Sequence, residues 1–280
     1  MLSRFRPRHQ APTITGQRTV GQTGRTVGSF RMPYGIAAFP DGSLAVGDVH
    51  NERIQVLAPD GTALHVWGSR GFSPTAIAPS GNQHLWVADS SRNRVTRFSL
   101  EGDAVSSLTD PAGFRQPSGI ATSDDGRVAV ADSGNRRVGV FEPDGSPSLV
   151  LGGNNLLGEP IGVCFDRLGQ LVVADRATRQ LVRFGVEPDY PDVMDLGLLP
   201  GTPAAPWGVI IDSAGRIMVS LVGTHRILVL APDGQLLGTW SGDEAAIGPL
   251  LEPTALAFHG SETLIVADTY NDRLVIATVI

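Results

Sequence analysis

The sequence predicts an all-β protein, a six-bladed β-propeller in which each blade is a four-stranded antiparallel sheet. Three observations predict it. One motif recurs six times at intervals of 41 to 47 residues, the size of a four-stranded blade. Glycine (34) and proline (20) are abundant, as many short strands joined by tight turns require. The last copy of the motif stops one strand short, while an orphan strand-like segment precedes the first copy, so the ring can close on itself.

The motif runs Pro-x-Gly-Ile-Ala, a turn, an apolar run ending in Ala-Asp, then Asn-x-Arg and a second apolar run. It is clearest after Pro33, Pro117 and Pro253, and weaker after Pro74, Pro160 and Pro206. Its arginine marks the register at Arg53, Arg94, Arg137, Arg226 and Arg273, with Gln180 in the fourth copy. In the first unit the strands are expected at Gly35–Phe39, Leu44–Gly47, Arg53–Leu57 and Ala63–Trp67. Turns such as Asp41-Gly42 and Asp60-Gly61 supply the positive φ of tight hairpins. The sixth unit has strands around Leu256, Val266 and Val275 and lacks a fourth. Arg25-Thr26-Val27-Gly28 matches fourth-strand segments such as Leu149–Gly152 and is expected to complete that blade, which removes an exposed sheet edge. Residues 1–22 are then a polar tail, expected to be disordered, and 23–280 a single propeller domain.

Composition narrows the function. A net charge of −6 argues against a general nucleic-acid binder, which must neutralise phosphates. No lysine occurs, which removes Schiff-base chemistry and the lysine of a phosphate-binding loop. The one cysteine, Cys164, sits in the apolar run Ile161–Phe165 and reads as a buried core thiol. The basic N-terminus has no apolar stretch after it and no run is long enough for a membrane span, so a cytoplasmic, membrane-free monomer is expected.

The combination of Pro-x-Gly-Ile-Ala with Val-Ala-Asp-x-x-Asn-x-Arg resembles the NHL repeat, found in six-bladed propellers, over residues 24 to 280. That resemblance implies the fold. It leaves function open, because such propellers include protein-binding, RNA-binding and sensor domains and a few enzymes. Among the enzymes are amidating lyases, whose channel holds zinc on three histidines; no such set can be assembled from His9, His50, His65, His84, His225 and His259. Related six-bladed propellers include lactonases and streptogramin lyases. The lactonase-like calcium site would take Glu159 as its carboxylate, but Asn51, Asn135 and Asn271 belong to the repeat. Some NHL domains bind RNA on a positive face, and Arg31, Arg70, Arg92, Arg115, Arg136, Arg176 and Arg179 could provide one here.

Residues present in nearly every blade serve the blade. Asp48, Asp89, Asp132, Asp175 and Asp268 are expected to accept backbone N–H bonds, and the arginines five positions on, present after all but Asp175, to pair with them or with a neighbouring blade; the fifth copy has Leu221 instead. Function is therefore sought among residues that differ between blades, in the loops leading into each first strand and the loops between second and third strands. These give a candidate rim at one channel mouth. His50, Tyr34, Tyr270 and Glu252 are suitable acid–base groups, and the closed ring makes the blades of His50 and Tyr270 neighbours. Arg31, Arg70, Arg115, Glu159, Trp207 and His225 are candidate ligand contacts. No cofactor is assigned; calcium or zinc on His50 with His225, or on Glu159 with Glu252, is the alternative. The primary expectation is a binding propeller holding a peptide, protein or small ligand at that mouth. A small-molecule lyase, hydrolase or cyclase at the same mouth is the alternative.

Overall fold

The computed structural model describes residues 11–153, 155–185, 190–199, 205–243 and 247–280. They form six four-stranded antiparallel sheets. Blade 1 comprises Pro33–Ala38, Leu44–Asp48, Arg53–Leu57 and Ala63–Gly68, in that order from the channel outwards. Blades 2 to 5 repeat this order, with innermost strands at Pro74–Pro79, Pro117–Thr122, Pro160–Phe165 and Ala205–Ile211.

Blade 6 holds Pro253–His259, Thr263–Asp268 and Arg273–Val279, and an N-terminal strand completes it as expected. The closing strand is Ile14–Val20, however, not Arg25–Gly28. It lies inside the segment expected to be a tail; residues 1–10 of that segment fall outside the described residues. Its pairing with Arg273–Val279 shifts register between Thr15 and Arg18, beside Gly16 at φ 58°. Arg25–Gly28 has a different task. The carbonyls of Arg25, Thr26 and Ser29 accept the guanidinium of Arg53 at 2.8–2.9 Å, so this stretch is a turn wrapped around the repeat arginine of blade 1.

The core lies between blades. Six apolar clusters form, one at each blade–blade interface. Because side chains alternate across a strand, each middle strand serves two of them: Leu85 and Val87 face blade 1, Trp86 and Ala88 face blade 3. Cys164 packs in the cluster between blades 4 and 5, and burial pushes its thiol up to about 12, which leaves it a packing residue.

The repeat residues explain how the blades are spaced. A Cβ on Gly119, Gly162 or Gly208 would lie 2.1–2.2 Å from the carbonyl oxygen of Ile161, Trp207 or Thr254 in the next blade. The glycine of Pro-x-Gly is thus what lets innermost strands approach. Asp132 takes the N–H of Arg115 at 2.6 Å, the Asn135 amide at 2.8 Å and Arg137 Nε at 2.8 Å. Asp48 and Asp268 do the same for their blades. The carboxylate therefore ties the incoming loop, the following turn and the third strand together. Where Leu221 replaces it, the leucine is buried in the core, and Arg226 is exposed with no ion pair among the described residues.

A second device joins neighbouring blades. The residue before the repeat arginine, or before Gln180 in blade 4, is left-handed in every blade, at Glu52, Asn93, Arg136, Arg179, His225 and Asp272. From there Glu52, Asn93, His225 and Asp272 accept backbone N–H groups of Gly71, Gln116, Glu252 and Met32, each in the next blade around the ring.

Candidate functional site

The six innermost strands surround a narrow channel. At one end it is framed by the residues that follow each repeat proline: Tyr34, Thr75, Ser118, Ile161, Trp207 and Thr254. Behind them stand the residues that follow the repeat aspartate. In blades 3 and 6 these are hydroxyls that knit the ring: Ser133 bonds Ser118 and the Pro160 carbonyl, and Thr269 bonds Thr254 and the Pro33 carbonyl at 2.7 Å each. Blade 4 breaks the pattern with Arg176.

That break coincides with the gathering of blade-specific side chains. Arg176 forms a two-pronged ion pair with Glu159, its Nε 2.8 Å from Oε2 and its Nη2 on Oε1. Its guanidinium carbon lies 5.1 Å from the Trp207 ring centroid, within cation–π range. Trp207 in turn meets Tyr34 edge-on at 6.1 Å and 62°. Burial, with Tyr270 and Glu252 nearby, pushes the Tyr34 phenol above its ordinary value of 10.0, while Arg176 pulls it down. Its O–H therefore stays protonated across the neutral range. Three blades thus contribute to one half-buried cluster, Tyr34, Arg176 with Glu159, and Trp207, and the charges of Glu252 and Tyr270 in blade 6 act on Tyr34 from beside it.

Not every sequence candidate enters it. Tyr270 stands at the edge, 56% exposed. Glu252 is half-buried and accepts the Gly223 N–H at 3.1 Å. His225 accepts the Glu252 N–H at its Nδ1, 3.2 Å away, and the same nitrogen lies 3.2 Å from the Glu252 carboxylate; its visible work is to join blades 5 and 6. His50 sits exposed on a one-turn 3-10 helix, and its ring makes no hydrogen bond or ion pair among the described residues. Arg31 gives its backbone to Asp48 and His50. Arg70 and Arg115 are exposed, with side chains unpaired among the described residues. Arg176 is the member that the rim reading missed. Its signal was present in the sequence: it stands one residue after the repeat aspartate, where neighbouring blades carry small residues.

The opposite mouth is a wider basin, lined by first-to-second-strand turns and including Phe39, Asn82, Asp124, Phe258 and His259. His259 Nδ1 lies 3.1 Å from the Phe39 carbonyl, so His259 is far from the aromatic cluster, as its position in the repeat implied.

Several groups weighed from the sequence as metal ligands have other partners here. Glu159 is taken by Arg176, and Asn51, Asn135 and Asn271 donate their amides to the repeat aspartates. Among the described residues no three His, Cys, Asp or Glu gather as a metal site would need. No helix among them is long and apolar enough to cross a membrane.

Comparison with known proteins agrees with the fold. The NHL repeat model matches residues 30–57 and 114–141. No curated protein matches the chain in sequence. Among solved structures, virginiamycin B lyase from Staphylococcus aureus superposes with a TM-score of 0.71 at 14% identity, covering 95% of this chain and 99% of that one. A catalytically inactive variant of the same lyase, solved with quinupristin, gives 0.68 at 14% identity over 95% and 99%. A gluconolactonase from Xanthomonas campestris gives 0.71 at 19% identity over 98% and 99%.

Proposed function

We propose, for this chain of NHL repeats folded as a six-bladed propeller, that the aromatic mouth is an active site for a small molecule, of the lyase or hydrolase kind. The observation that carries this reading is the convergence of Tyr34, Trp207 and Arg176 from three different blades, with the charge of Glu252 acting on Tyr34, where blade 4 replaces the small residue after the repeat aspartate by Arg176. Convergent polar groups on an apolar floor are what a ligand pocket needs. In this reading the Trp207 face seats the substrate. The Tyr34 phenol, protonated at neutral pH, donates to the oxygen that gains charge as the bond breaks. Glu252, whose carboxylate is oriented by the Gly223 N–H, is the proton acceptor. The fold-level likeness to a lyase and a gluconolactonase supports the class of chemistry and does not name the substrate.

A panel of lactones and cyclic esters, assayed for ring opening, tests the proposal. Tyr34→Phe should lower kcat about 100-fold or more with its thermal midpoint little changed, and Glu252→Gln should lower it comparably. Turnover unaffected by either change would remove the assigned roles. Saturable binding of panel members without any turnover would favour a binding propeller at the same mouth.

A further inference from the structure

We infer that the Arg176–Glu159 pair is a seat for a ligand carboxylate, with Glu159 acting as its placeholder. The inference rests on reading this mouth as a ligand site, and it names the ligand's chemistry. A guanidinium recognises a carboxylate through two parallel N–H···O bonds, and Arg176 already presents that geometry to Glu159. The partner it holds is open to exchange. Arg176 is 38% and Glu159 33% exposed, so solutes reach the pair, and a ligand carboxylate can take over the same two-pronged geometry. Exchanging one carboxylate for another costs few interactions. Arg176 itself is fixed by other means: it lies over Trp207, and its backbone N–H bonds the Glu159 carbonyl at 2.9 Å. A carboxylate replacing Glu159 would bring the rest of its ligand against Trp207 and Tyr34, so the favoured ligand is a small carboxylate with a flat apolar body.

The surrounding charge agrees. At the left-handed position before the repeat arginine, four blades carry acceptors engaged with the next blade. Blades 3 and 4 carry Arg136 and Arg179 there, both exposed and without a side-chain partner among the described residues. With Arg115 they add unpaired positive charge on the side of the mouth where Arg176 lies, which attracts anions at long range. Glu252 opposes it, but its carboxylate takes the N–H of Gly223 in blade 5 and lies 3.2 Å from His225 Nδ1.

Titration calorimetry of the full chain with benzoate and with benzamide tests this directly, since the two differ in charge and little in shape. Benzoate should bind at least about tenfold more tightly than benzamide. Glu159→Gln should tighten benzoate binding about tenfold, because the seat is then vacant. Arg176→Gln should abolish the preference for benzoate, and Arg176→Lys should restore it only in part. Thermal melts of each variant check that the propeller is intact. Equal binding of the two compounds, absence of benzoate binding, or a Glu159→Gln variant that binds benzoate more weakly would each overturn the inference. A benzoate preference without lactone turnover would leave the carboxylate seat standing and the enzyme reading fallen. Turnover without that preference would do the reverse.

Discussion

Tyr34 shows most plainly how one residue's chemistry is made by its surroundings. A free phenol loses its proton near pH 10; here burial and the nearby Tyr270 and Glu252 delay that loss. The sign for stability follows. Below the ordinary value both the folded and unfolded chain keep the proton, and the group contributes nothing that changes with pH. As pH rises past that value the unfolded chain ionises first, so folding weakens. Chemical denaturation between pH 8 and 11 should therefore show an alkaline loss of stability that Tyr34→Phe reduces, and a rate limited by Tyr34 as acid should decline over the same upper range. Unchanged alkaline behaviour in Tyr34→Phe would mean that the phenol ionises freely.

In most blades a buried carboxylate ties the incoming loop and the following turn to the strands. Arg137 bridges Asp132 and Asp110, both nearly inaccessible. Arg137→Ala leaves two buried carboxylates short of their counter-ion and should cost about 3–5 kcal/mol. The fifth blade supplies the internal comparison: Arg226 has no aspartate to meet, and Arg226→Ala should change stability by less than about 0.5 kcal/mol. Urea denaturation of the two variants reads the difference directly. Equal effects would mean that the repeat arginine acts through something other than its aspartate. The same comparison shows what a missing residue means in a repeat, since Leu221 repairs the gap by filling the core rather than by finding another polar partner.

For the whole molecule, the decisive feature is that the ring is fastened by the chain's own beginning. Ile14–Val20 pairs along Arg273–Val279, Thr13 exchanges backbone hydrogen bonds with Ile280, and Asp272 holds the Met32 N–H across the same seam. Deleting residues 1–20 should bare the backbone edge of Arg273–Val279, lower the thermal midpoint by at least about 5 °C, and promote self-association through the exposed strand. Size-exclusion chromatography and a thermal melt would show both; a monodisperse deletion with an unchanged midpoint would mean that the seam is held without the N-terminal strand.

How far the sequence reached varied with how local each signal was. Blade number, strand order and the roles of the Asp-x-x-Asn-x-Arg residues were legible because periodicity and turn chemistry are written in adjacent residues. The closing strand was misplaced because Ile14–Val20 is polar and interrupted by Gly16; only its pairing with Arg273–Val279 makes it a strand, while Arg25–Gly28 looked extended and is bent by Arg53. Tyr34, Trp207, Glu159 and Glu252 could be singled out as unlike their counterparts in other blades. The meeting of Tyr34, Trp207 and Glu159 with Arg176 could not, since the contact spans blades 1, 4 and 5 and depends on how closely the innermost strands approach. The sequence by itself thus determined the propeller and which residues depart from its repeat. Only the tertiary structure decided which of those departures share one mouth, because proximity across a ring is set by closure and packing, neither of which is encoded in any single blade.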